Sequence, residues 1–135
     1  MNAPVAGFGL QDGSILKAIL AGSGYSAAKL TAHAGGLQPA AAPISPNSAI
    51  VVLGTVASVG DSAVLPFAQP GEWLLVFNST ANSANIYGQV AVNALTGVID
   101  TINGTAGSTA YAIAGGVSVL FFCGSNGAWA ALKSA

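Results

Sequence analysis

The residues able to do chemistry in this chain are few and scattered. Four carboxylates stand at Asp12, Asp61, Glu72 and Asp100, with one imidazole at His33 and one thiol at Cys123. General acid–base catalysis asks for a histidine or for two carboxylates held close together, and no two of these lie near each other in sequence. Asp61 follows Gly60, and Asp100 precedes Thr101-Ile102-Asn103-Gly104. Both therefore read as turn carboxylates that accept backbone hydrogen bonds. A His33–Cys123 nucleophilic pair would need a third group to orient it, and the sequence offers none. Calcium held by Asp61, Asp100 and carbonyl oxygens is the least remote metal chemistry, since turn carboxylates supply hard ligands. No set of three or four ligands at metal-binding spacing accompanies them, so the expectation is no metal, no cofactor and no enzyme activity.

No glycine-rich phosphate loop or dinucleotide fingerprint is present. The sequons Asn78-Ser79-Thr80 and Asn103-Gly104-Thr105 fall among many Asn, Ser and Thr turn residues and read as chance. Trp73, Tyr87, Tyr111 and Trp129 could form a platform on which a sugar stacks. Aromatics at alternate strand positions more often build a core.

The elements that would position these groups belong to an unusual composition. Only 5% of the 135 residues are charged, arginine is absent, and net charge is −1. A compact monomer of 13.1 kDa exposes about 6,400 Å² by the usual scaling, or roughly 900 Å² for each of the seven charges. That is too sparse to keep a monomer soluble by charge, so burial against further copies or another protein is expected. Three lysines without arginine exclude the basic footprint of a nucleic-acid binder. Mean hydropathy is +0.67, yet the apolar runs (49–53, 73–77, 117–123) are far short of the ~20 residues of a membrane span. No basic residue precedes an apolar stretch in residues 1–10, so no secretory signal is expected. The single cysteine leaves no internal disulfide. Alanine (27) and glycine (18) together make a third of the chain, which suits closely apposed backbones.

Two regions follow from the patterning. Residues 1–47 hold four of the six prolines and read as an extended N-terminal arm. Asp12-Gly13-Ser14 could cap one short helix carrying Ile15, Leu16, Ile19 and Leu20 and ending near Gly22. Phe8, Leu10, Ile15, Leu16, Tyr25 and Leu30 need burial, which makes them candidate interface residues along with His33 and, in the second region, Trp129. Residues 48–135 alternate short strands with turn residues such as Pro70-Gly71, Asn103-Gly104, Gly115-Gly116 and Asn126-Gly127. The stretch 73–78 is apolar on both faces and reads as a central, fully covered strand. The spacing predicts an all-β antiparallel sandwich or jelly roll of about seven or eight short strands, with no internal repeat.

One resemblance joins these segments. Leu30-Thr31-Ala32-His33-Ala34-Gly35-Gly36 with Gln38 is followed by Gly60-Asp61-Ser62-Ala63-Val64-Leu65-Pro66 and by Gly71 leading into Val76-Phe77-Asn78. Then come Ala84-Asn85-Ile86-Tyr87, Asp100-Thr101-Ile102-Asn103-Gly104, and residues 117–123 running to Gly127-Ala128-Trp129. In order and spacing these motifs, from about residue 30 to 132, resemble the capsid cement or decoration proteins of tailed bacteriophages. The stretch 88–98 departs from the pattern, being several residues longer than the usual link. The resemblance implies a β-rich protein made in the host cytoplasm and carried on the capsid exterior as a homodimer or homotrimer. It would clamp neighbouring capsomers of the major capsid protein, without catalysis or cofactor, and without nucleic-acid or membrane binding. A receptor- or glycan-binding β-module of a phage head or tail fibre is the alternative that the aromatic strands suggest.

Overall fold

A computed structural model describes residues 27–94 and 96–135. The described chain is all-β apart from one 3-10 turn at Gln38–Ala40. Eleven strands follow in order: β1 Ala27–Thr31, β2 Ala42–Pro43, β3 Ile50–Thr55, β4 Ser62–Val64, β5 Trp73–Asn78 and β6 Ala84–Tyr87; then β7 Thr101–Ile102, β8 Thr105–Ala106, β9 Tyr111–Ile113, β10 Ser118–Ser125 and β11 Ala128–Lys133. They form a seven-stranded sheet in the order β1-β3-β5-β10-β11-β7-β8 and a four-stranded sheet in the order β9-β6-β4-β2.

The antiparallel sandwich expected from spacing is not what forms. Up to β6 the chain alternates between the two sheets, so strands of one sheet follow each other in parallel: β1 with β3, β3 with β5, β2 with β4, and β4 with β6. This is a β-solenoid. Ala27 stands opposite Ile50 and Ile50 opposite Leu75, so successive strands of the large sheet repeat every 23 to 25 residues. The repeat missing from the sequence is thus present in the backbone. Hairpin-type residues at 55–61 and 78–83 are corners that send the chain to the other sheet, and both uses favour the same Gly, Asn, Asp and Ser.

The corners stack. Gly36, Gly60 and Ser83 occupy equivalent places in successive coils, and Gly60 N–H donates to Ser83 O at 2.9 Å. Gly36 has φ +68°, and a Cβ there would lie 2.4 Å from Gly60 O, so only glycine fits without moving backbone. Asn82 Nδ2 donates to Val56 O at 2.8 Å, tying the third corner to the second. Asn78, fully buried, donates to Asn82 O at 2.8 Å and Ile113 O at 3.0 Å.

The winding ends where the chain reverses. β9 runs antiparallel to β6, and β10 antiparallel to β5. Only here do the expected hairpins occur. Asn103 (φ 50°) and Gly104 (φ 79°) make the two-residue turn between β7 and β8, both residues left-handed as a type I′ turn requires. Between the sheets lies the core, with Val51, Leu53, Leu74, Val76, Val119, Phe121 and Trp129 from the large sheet meeting Ala63, Ala84, Ile86 and Ile113 from the small one. Side chains of this size contribute about 1.5–3 kcal/mol each when fully buried.

The described part of the expected N-terminal arm is woven into this core. β1 pairs along β3, β2 pairs with β4, and Ala32, Ala41 and Ile44 are buried. The 3-10 turn at Gln38–Ala40 and the pairing of Pro43 as an edge-strand residue agree with the proline content of 39–46. The short helix expected at 12–22 lies outside the described residues.

Candidate interaction face

Alternation along the large sheet sends one set of side chains to the core and the other outward. On β5 the inward set is Leu74, Val76 and Asn78, all buried; the outward set is Trp73, Leu75 and Phe77. On β10 Val119, Phe121 and Cys123 point inward, leaving Leu120 and Phe122 outside. On β3 Ile50 and Val52 lie outward of Val51 and Leu53. Register aligns these into rows. Ile50, Leu75, Leu120 and Leu132 stand side by side across four strands. Trp73, Phe122 and Ala130 make a second row, and Val52 with Phe77 a third. Trp73 is 43% exposed and Leu132 61%.

The strand read as covered on both faces is therefore covered on one. Its outer face is apolar and carries no carboxylate; Lys29, opposite Val52 on edge strand β1, is the one formal charge among the outward-facing described residues of β1, β3, β5, β10 and β11. Four strands at about 4.8 Å spacing and six residues of about 3.3 Å give a patch of roughly 400 Å². Patches of that size on a single chain commonly mark contact sites. A second group of exposed apolar residues, Val90, Val92, Val98 and Ile99, lies on the long link between β6 and β7.

At the Trp73 end of the face a cleft of 180 Å³ opens, lined among others by Pro46, Pro66, Glu72, Trp73 and Trp129. Its floor is Trp129, 2% exposed, whose Nε1–H donates to Pro66 O at 3.3 Å. Glu72, in the cleft lining, feels the charge of a second carboxylate, Asp100. Asp100 is completely buried; Oδ2 accepts from Ala68 N–H at 2.8 Å, while Oδ1 accepts no hydrogen bond. Glu72 Oε2 is likewise shut off from solvent without a hydrogen bond. Burial pushes the Asp100 carboxyl above the usual range, against the pull of the Ala68 and Gln89 backbone N–H groups. Burial also raises Glu72; the Gln69 N–H opposes this and the Asp100 charge adds to it. The Cys123 thiol is raised chiefly by burial, and it donates to Ser125 O at 3.0 Å.

These shifts set a pH dependence. Both carboxyls hold protons more tightly when folded, so from their ordinary values of 3.8 and 4.5 up to their raised values the unfolded chain binds fewer protons. Stability from these two groups falls as pH rises through that window and is fully present below it. The urea midpoint is expected to be higher near pH 5 than near pH 8, with Asp100→Asn flattening the slope; a midpoint that falls on mild acidification would contradict this.

The remaining sequence candidates are dispersed. Asp61 Oδ2 accepts from Ser58 N–H at 2.9 Å within its own corner, as expected of a turn carboxylate; Asp100 instead ties down a residue 32 positions away. His33 is exposed, its backbone exchanging two hydrogen bonds with Ser62, whereas Cys123 is buried in the large sheet. Of the four aromatics, Trp129 and Tyr87 are buried, Tyr111 packs edge-on to Phe121 at 5.6 Å, and Trp73 is partly exposed. Leu30 packs half-buried on the core, and Trp129 is an interior residue. Phe8, Leu10, Ile15, Leu16 and Tyr25 lie outside the described residues. Among the described residues no group of three or more His, Cys, Asp or Glu could hold a metal ion, and no helix is long and apolar enough to cross a membrane. Comparison with protein-family models, curated proteins and solved structures finds no match.

Proposed function

We propose that the chain is a structural virion protein that binds the outer surface of a phage capsid and cements adjacent capsomers. The observation that carries this reading is the outer face of the large sheet: apolar across four strands and nearly without charge. A standard interface buries about 800 Å² on each partner, roughly twice this face. The face would then form the dry centre of a larger contact, with the apolar link at 90–99 or a second copy in a dimer or trimer completing it. A protein that binds an assembled lattice and not its free subunits stabilises that lattice by mass action, and needs no chemistry of its own. The sequence resemblance to cement proteins supports the same reading. A glycan-binding module has less behind it, since three of the four aromatics that would form its platform are turned into the fold.

The test is mass spectrometry of purified virions of the phage that encodes the chain, with copy number from gel densitometry. Hundreds of copies per particle are expected. Absence, or a handful of copies, would refute the proposal.

A further inference from the structure

The structure assigns Asn103 as the residue at which this chain deamidates, and shields the second Asn-Gly pair, Asn126-Gly127, from the same reaction. The chemistry is the chain's own and holds whatever surface the chain docks on.

The reaction needs no enzyme. The backbone nitrogen that follows an asparagine gives up its proton and bonds to the side-chain Cγ; the Cγ–Nδ2 bond breaks, and ammonia leaves with that proton. The five-membered imide then takes up one water at either carbonyl and opens to aspartate or isoaspartate, with nothing oxidised or reduced. A following glycine favours attack because no side chain crowds the nitrogen. A nitrogen whose N–H is already hydrogen-bonded must give that bond up first. Asn103 and Asn126 are the two asparagines that precede glycine, and their surroundings are opposite. Asn103 and Gly104 are both exposed at the tip of the β7–β8 turn, between Ile102 and Thr105. No described residue accepts from Gly104 N–H, and a Cβ on Gly104 would meet nothing within 4 Å. Asn103 Oδ1 accepts from Ala131 N–H at 2.8 Å, which draws electron density from Cγ and favours attack there. Asn126 is exposed too, but Gly127 is buried. Its N–H donates to Ala68 O at 3.3 Å, and a Cβ on it would lie 2.3 Å from Val98 Cγ2. The attacking nitrogen is open in one pair and occupied in the other. Either product adds a carboxylate to a chain with only three basic and four acidic residues. Isoaspartate also routes the backbone through the former side chain. That puts an extra carbon into a two-residue turn built on φ values of +50° and +79°, and displaces the acceptor that ties the turn to Ala131 on β11.

The test follows both sites in the full chain, held near pH 8 and below its thermal midpoint, by peptide mapping and mass spectrometry. A parallel sample is unfolded in guanidinium chloride. In the folded chain Asn103 is expected to convert at least fivefold faster than Asn126; equal rates, or the reverse order, overturn the inference. In the unfolded chain the two rates should come within about twofold of each other. A fivefold gap that persists there would assign the difference to neighbouring residues and not to the fold, and would overturn it too. So would an Asn103 that stays intact in the folded chain while converting in the unfolded one. Asn103→Asp, which keeps an oxygen for Ala131 N–H, is expected to hold the wild-type urea midpoint, and the purified isoaspartyl form to fall below it. An isoaspartyl form at the wild-type midpoint overturns the expected damage to the turn.

Discussion

Replacing Leu120 with Lys is expected to leave the chain folded and to reduce its occupancy on capsid shells at least 100-fold. Leu120 stands between Leu75 and Leu132 in the middle row of the outer face, half-buried by its neighbours. In the free protein a lysine there lays its methylene stem along those leucines and lifts its ammonium into water, so the folding cost is small. Under a partner the same ammonium is taken out of water without a counter-charge, because the face holds no carboxylate to meet it. An uncompensated buried charge costs about 3–5 kcal/mol. Even 3 kcal/mol is more than a 100-fold loss of affinity. Leu132→Lys, on the end strand of the same row and already 61% exposed, should cost less than a tenth as much in affinity. Copies per particle, measured beside the thermal midpoint of each variant, separate binding from folding. Full occupancy by Leu120→Lys would place the contact on another surface.

How much of this was legible in the sequence differs from element to element. The strands themselves were visible. The β-branched run at 50–55 and the alternation at 73–78 mark β3 and β5, and Asn103-Gly104 marks its turn to the residue. Their connectivity was not. A corner and a hairpin turn both need residues that tolerate sharp turns and supply local acceptors, so Gly60-Asp61 looks the same whether the chain folds back beside its strand or crosses to the other sheet. Parallel pairing is announced only by coil length, and coils of 21 to 25 residues that share no side-chain pattern leave no repeat to find. The prolines at 39, 43 and 46 suggested an arm because proline cannot donate within a central strand; β2 resolves this by lying at the edge of the small sheet.

The candidate face was half legible. An apolar pattern on both sides of 73–78 implies burial on both sides, the usual meaning when a strand is central. β5 is central, yet only one side meets core. The signal that could have separated the two was the scarcity of charge in the whole chain, which already required some apolar surface to lie outside. The acidic pair was less legible still. Glu72 and Asp100 come together only because β7 joins the large sheet beside β11 in parallel, a pairing between segments 26 or more residues apart that no local motif encodes.

Deleting residues 1–47 is expected to abolish cooperative folding. The cut removes β1 and β2, the strands of the first described coil in the two sheets. Five register pairs between β1 and β3 disappear, and the buried Ala32, Ala41 and Ile44 go with them. Solenoid coils are stabilised mainly by their nearest neighbours, so the loss falls on β3 and β4 and is not shared across the fold. Ile44 alone contributes about 1.5–3 kcal/mol. The backbone hydrogen bonds add about 0.5–1.5 kcal/mol each. Several of these terms together equal the whole stability of an average domain, about 5–15 kcal/mol. What remains also has an Ile-Val-Val-Leu edge at β3 stripped of its partner, a template for aggregation. The truncated chain should be insoluble, or should show no sigmoidal urea transition where the full chain shows one. A cooperative transition at an unchanged midpoint would mean that the second coil can serve as an end without the first, and that residues 27–47 hold to the sheets without holding them together.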